Sequence, residues 1–173
     1  MQPDGDLAHT NPQFDVGAGQ LDAMEVGMSG FYEPPPRAAS EFRERIYHPR
    51  WETIQSALGR PVPEILRQLY SAPDALLRSH FYLVAPDGTR RMWLDLFLPM
   101  DDEALRPYGR SLPPGAVAFA DDEHGDPYYF VPDDSVYGDG PVFVCGPAHG
   151  PDGEEQVAGS LAEFLSWSRD YAH

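Results

Sequence analysis

"SHFYLVAPDGTRRMWLDLFLPM", Ser79 to Met100, is the stretch where the apolar pattern changes its period. Before it, hydrophobic residues recur every three or four positions. Within it they alternate, and β-branched and aromatic residues flank Pro86-Asp87-Gly88, a strong turn signal. The reading is a hairpin of about Ser79 to Ala85 with Arg91 to Leu98. In its second run Trp93, Asp95 and Phe97 share one face, while Met92, Leu94, Leu96 and Leu98 share the other, as expected of a sheet covered on both sides.

Upstream the pattern is helical. Ser40 is placed to cap a helix whose Phe42, Ile46 and Tyr47 fall near one face, and Pro49 interrupts it. "HPRWETIQSALGRP" then sets Pro49 just inside a second helix, with Trp51, Ile54 and Leu58 inward and Gly59 as the stop. "PVPEILRQLYSAPDAL" repeats the arrangement, with Ile65, Leu66, Leu69 and Tyr70 as the stripe and Ser71 to Pro73 as the break.

Downstream, "GAVAFADDEHGDPYYFVPDD" supplies two strands, near Ala116 to Ala120 and Pro127 to Val131, joined by an acidic turn. "GPVFVCGPAHG" adds a strand at Val142 to Cys145. "SLAEFLSWSRDYA" closes the chain as an amphipathic helix, with Ser160 as cap and Glu163 completing a capping box. Helices first, strands in a block and a helix last give an α+β domain, its N-terminal helices and C-terminal helix packed on one mostly antiparallel or mixed sheet. This domain is expected over residues 37 to 173. Residues 1 to 36 show no sustained period and end in "GFYEPPPR", so they read as a proline-rich arm or linker. Trp51, Trp93 and Trp167, each periodic with apolar neighbours, are expected in the core.

With 173 residues, the chain can remove roughly 70% of its unfolded surface from water in a single domain. No apolar run approaches the ~20 residues of a membrane span, and "MQPDGDLAHT" lacks the basic and apolar regions of a signal peptide, so a soluble, cytoplasmic protein is expected. The lone Cys145 excludes an internal disulfide and reads as a small buried hydrophobe. All twelve basic residues are Arg, with no Lys, a skew that fits GC-rich coding and a bacterial source.

The distribution of charge carries more than its total of −16. Residues 1 to 36 hold six acids and no base, residues 37 to 91 six acids and nine Arg, and residues 92 to 173 sixteen acids against three Arg. Such a field repels nucleic acid and anionic membrane, and it steers basic partners toward it.

The acidic turn therefore needs a chemical reading. An EF-hand started at Asp121 would have Glu123 at position three but Gly125 at position five and Asp126 at six, which is the wrong order. A zinc site built from His124 with Glu123 or Asp126 is too local to aim three ligands at one ion without distant help, and His9, His48, His80, His149 and His173 are scattered. A carboxylate acid-base pair would need a burial that the sequence does not display. Phosphate-binding and nucleophile-elbow motifs are missing. No catalytic residue, metal or cofactor is assigned. The plainest reading is a solvated turn in which Gly125 takes positive φ and Asp126 bonds the backbone.

The order of these segments, from "WETIQSALGRPVPEILRQLY" through "RRMWLDLFLP", "VAFADDEHGDPYYFVPDD" and "GPVFVCGPAH" to "SLAEFLSWSRD", resembles the SUKH superfamily, which includes the fungal Smi/Knr cell-wall regulators. The resemblance spans about residues 45 to 172. Its most specific piece is Phe119-Ala120-Asp121, then Gly125-Asp126, Tyr128-Tyr129, Pro141-Val142 and Glu163-Phe164-Leu165. It implies a non-enzymatic binding domain. Bacterial members are mostly immunity proteins that bind and block a cognate polymorphic toxin, often a nuclease. Asp121, Asp122, Glu123 and Asp126, with Tyr128 and Tyr129, would then face the toxin's basic cleft. The alternatives are a regulatory or scaffold module of the Smi/Knr kind, and a metal- or carboxylate-dependent enzyme using the Asp121 to Asp126 turn. A further reading of the two tyrosines is that they alternate across a strand, one in the core and one out.

Overall fold

The computed structural model describes residues 36 to 78, 80 to 147, 149 and 153 to 171. The arm read over residues 1 to 36 lies, Pro36 aside, outside the described residues. Four helices come first: α1 (Pro36–Tyr47), α2 (Trp51–Leu58), α3 (Glu64–Leu69) and α4 (Pro73–Leu76). Three strands follow, β1 (Phe81–Val84), β2 (Arg91–Leu94) and β3 (Leu96–Phe97), and then the short helix α5 (Asp102–Leu105). The rest is β4 (Val117–Asp121), β5 (Pro127–Phe130), β6 (Val142–Cys145), β7 (Glu154–Ala158), α6 (Leu161–Ser166) and β8 (Ser168–Tyr171). The α+β class is as expected, in one compact unit from Pro34 to His173.

The helical half follows local chemistry, but α2 starts at Trp51 with Arg50 as its N-cap, so Pro49 lies before the helix and not just inside it. α1 begins at Pro36, whose fixed φ suits a first helical position, so Ser40 lies inside the helix rather than capping it. α2 ends at Gly59, at φ 65°, where the glycine N–H reaches the Gln55 carbonyl at 3.0 Å. The first amides of α3, Glu64 and Ile65, donate to the carbonyls of Val136 and Tyr137 at 3.3 and 3.1 Å. A distant loop thus satisfies N–H groups that a helix leaves orphaned. The "SAPDAL" break contains α4, with Pro73 in its first turn.

Among the described residues eight strands form two sheets, ordered β2-β1-β8 and β3-β4-β5-β6-β7, with every pairing antiparallel. The hairpin read from Ser79 to Leu98 is present, but its second run is divided at Asp95. Leu94 ends β2 against Phe81, while Leu96 opens β3 against Asp121. The division is fixed by hydrogen bonds: the Asp95 N–H donates to the Asp121 carbonyl at 2.8 Å, and the Leu96 N–H to the Asp121 carboxylate at 3.0 Å. One uninterrupted alternation thus feeds two sheets.

The closing helix is shorter than its pattern suggests. Ser160 accepts the Glu163 N–H at 3.0 Å, as a capping residue should, and Glu163 returns the favour to Gly159 N–H at 2.8 Å. Asp139 accepts the Leu161 N–H at 2.7 Å. The helix stops at Ser166 because Trp167 turns extended (φ −61°, ψ 146°) to bury its ring, and β8 then pairs with β1.

The main core joins the N-terminal helices (Ile46, Ile54, Ile65, Leu66), β1 (Phe81, Leu83) and α6 to one face of the five-stranded sheet, with Phe119, Tyr128, Phe130 and Phe164 fully buried. Phe164 packs edge-on to Phe119 at 5.8 Å, and at a tilt to Tyr128 at 5.4 Å and Trp167 at 5.2 Å. Leu98, Ala116, Ala118 and Tyr129 form a second cluster with Leu112 and Phe143. Both faces of β4 and β5 are therefore dry. Of the three tryptophans, Trp167 is in the core. Trp51 is half-buried at the core's edge, meeting Tyr70 edge-on at 6.0 Å, and the half-buried Trp93 packs beside Tyr82 at 4.7 Å.

Candidate functional site

The acidic turn joins β4 to β5, whose register pairs Asp121 with Pro127 and Ala120 with Tyr128 after a bulge at Phe119. Its organiser is Asp122. One oxygen of that carboxylate, Oδ1, accepts the N–H of His124 at 2.8 Å and of Asp126 at 2.9 Å, while Gly125 takes φ 72°. The expected positive φ is at Gly125, but the side chain that bonds the backbone is Asp122 and not Asp126. Asp126 instead receives the Arg110 guanidinium on Oδ1 at 2.8 Å. Its carboxylate lies so close to Gly146 that a Cβ there would come within 1.8 Å of it, which only glycine allows.

Of the six residues expected to face a partner, Glu123 alone is exposed. Asp121, Asp122 and Asp126 retain 3%, 6% and 1% of their accessible surface, and Tyr128 and Tyr129 1% each. Burial gives these five structural work. Asp121 holds the Leu96 N–H and the Tyr108 hydroxyl. Burial pushes its carboxyl up to about 6, with Asp95 and Asp122 adding repulsion against the opposing effect of the two hydrogen bonds. Tyr128 donates to the Trp93 carbonyl at 2.7 Å, and Tyr129 stacks on Phe143 at 5.3 Å and bonds Glu154. Burial raises the pKa of both phenols. The two tyrosines do alternate, but each meets a covered face.

The structure also brings in residues that local spacing does not reveal. Tyr108 is 53% exposed and sits in the left-handed region (φ 52°, ψ 31°), a costly conformation for an aromatic residue. Its N–H bonds Glu103 at 2.9 Å, its hydroxyl bonds Asp121, and its ring edge would stand 3.9 Å from a Cβ added at Gly125. His149, which the sequence leaves among scattered histidines, approaches the turn from the segment after β6. Its Nε2 lies 3.3 Å from Asp122 Oδ2 and 3.9 Å from Asp126 Oδ2. Asp126 Oδ2 is buried with no hydrogen-bond partner among the described residues. Burial raises the pKa of the Cys145 thiol, as befits a packing group rather than a nucleophile.

An α+β domain with paired antiparallel sheets and a buried acidic turn is the class these observations define. The chain belongs to the SMI1 / KNR4 family (SUKH-1), whose family model matches residues 50–167. Neither a curated protein nor a solved structure matches it. Among the described residues no helix is long and apolar enough to cross a membrane.

Proposed function

We propose that this chain is a non-enzymatic binding domain of the immunity type, which neutralises a cognate bacterial toxin by covering its basic site. The partner is a basic protein, with a nuclease as the favoured kind because its phosphate-binding cleft is cationic. Membership of the SUKH-1 family supports the reading, since the superfamily's bacterial members are mostly binding proteins. The net charge of −16, concentrated in residues 92 to 173, supplies the steering field.

The observation that carries the proposal is the half-exposed ring of Tyr108, held by a left-handed backbone, by its N–H on Glu103 and by its hydroxyl on Asp121 at the turn that exposes Glu123. An aromatic anchor flanked by carboxylates is what a cationic cleft accepts best. Asp121, Asp122, Asp126, Tyr128 and Tyr129 act from behind, holding the turn in shape. Glu123 and Tyr108 make the contact.

The test is rescue. Cells expressing the toxic C-terminal tail of a secreted protein encoded beside this gene should survive when the chain is co-expressed. Tyr108→Ala combined with Glu123→Arg should abolish protection while leaving the circular dichroism spectrum unchanged. Full protection by the double variant sinks the assigned surface. A gene with no such neighbour, and a chain that protects against no toxin, sinks the immunity role in favour of a regulatory module.

A further inference from the structure

We propose that Asp122, Asp126 and His149 form a binding site for a divalent transition-metal cation of the zinc type, and that the ion ties the residue after β6 to the β4–β5 turn. The claim is independent of the toxin-binding reading and goes beyond it. Its basis is the direction of three ligand atoms. Asp122 gives Oδ1 to two backbone amides and leaves Oδ2 toward His149, with the exposed His124 Nδ1 3.7 Å away. Asp126 gives Oδ1 to Arg110 and leaves Oδ2, buried and without a hydrogen-bond partner among the described residues, toward the same nitrogen.

Ligand atoms from the three residues lie within 4.8 Å of one another. Zinc bonds of about 2.0 to 2.1 Å at tetrahedral angles place ligand atoms roughly 3.4 Å apart. The observed separations of 3.3 Å and 3.9 Å fall on either side of that spacing. The His149 side chain, 15% exposed, leaves an approach for the ion and a fourth position for water.

The surroundings have the form of an outer shell. Each carboxylate is oriented by donors on the oxygen that would not bind metal, the arrangement that fixes ligands elsewhere. The Gly146 backbone, which admits no side chain, forms the floor under Asp126. A buried acceptor left without a partner is costly, and a cation would remove that cost. One imidazole with two carboxylates suits zinc, cobalt or nickel. Calcium and magnesium want six or more oxygens and are poorly served.

The full chain, freed of metal by chelation, is titrated with zinc chloride in a calorimeter, and with cobalt chloride under visible absorption. The expected result is one equivalent bound at about 10 µM or tighter, a tetrahedral cobalt spectrum, and a rise in melting temperature with zinc. His149→Ala should weaken binding at least about a hundredfold and erase the melting shift, while His48→Ala should leave both intact. Magnesium chloride should give no saturable heat. Unchanged binding in His149→Ala, or no saturable zinc binding by the native chain, overturns the proposal. Asp126→Asn is a second arm. If it does not fold, a His149→Ala chain that melts cooperatively without metal keeps the first arm decisive.

Discussion

The Tyr128 hydroxyl donates to the Trp93 carbonyl oxygen at 2.7 Å, and so joins the middle of the five-stranded sheet to an edge strand of the three-stranded one. The ring lies flat in the core against Phe119 and Phe164, while the oxygen reaches across to a strand that the ring does not touch in sequence. One side chain thereby serves both packing and sheet-to-sheet alignment.

Tyr128→Phe keeps the packing and removes the bond. The expected loss is about 1 kcal/mol, read as a lower urea midpoint at unchanged slope. A change in slope instead would mean that the two sheets no longer unfold together.

Asp121 gives stability an inverted pH dependence. Its carboxyl is at about 6 in the folded chain against 3.8 ordinarily, so the folded state holds the proton more tightly. That contribution is complete below about pH 4 and is lost as pH rises through 6, a change of about 3 kcal/mol. Asp121→Asn, which still accepts from Leu96, should flatten the decline between pH 4 and 6 in a series of denaturation curves. An unaltered decline refutes the assignment.

Asp101 works in the opposite sense. Burial raises its carboxyl, but the Arg45 guanidinium, bound through Nε at 2.8 Å and an Nη at 2.9 Å, and the Glu103 N–H together bring it below the ordinary value. Its stabilisation is present above about pH 4 and disappears as pH falls through the lowered value. Asp101→Ala loses the cap of α5 as well as the ion pair and should cost about 2 kcal/mol. Arg45→Ala, whose guanidinium is largely in water, should cost under about 1 kcal/mol. Equal losses would show that the cap contributes nothing.

Gly140→Ala tests a close approach. A Cβ at that position would stand 1.9 Å from the Val131 carbonyl oxygen, which is backbone and has nowhere to swing. The strand end must shift, at a cost of about 2 kcal/mol or more. Measuring no change in melting temperature would show that the 131–141 connection adapts freely.

Elements whose chemistry is local were legible in the sequence, and those fixed from a distance were not. Val142–Cys145 reads as a strand because "VFVC" is apolar and bracketed by Gly and Pro, and Ser160 announces α6 through its own hydroxyl. β7 escapes because "EEQVA" lies at a sheet edge, where only Val157 and Ala158 are buried and alternation is weak. β8 escapes because the helical spacing of Leu161, Phe164 and Leu165 carries through to Trp167, which the core claims by turning the chain. The turn itself was visible as a cluster of acids. Its burial was not, since Tyr108, Arg110 and His149, the groups that make buried carboxylates tolerable, come from other segments.

The order β2-β1-β8 has a consequence for biosynthesis. Val84 pairs with Ser168, 84 positions later, so the outer rim of β1 stays bare until β8 has left the ribosome. Through that interval the unpaired rim is open to capture by another nascent copy, and Arg169 and Asp170 arrive as the clasp that shuts it.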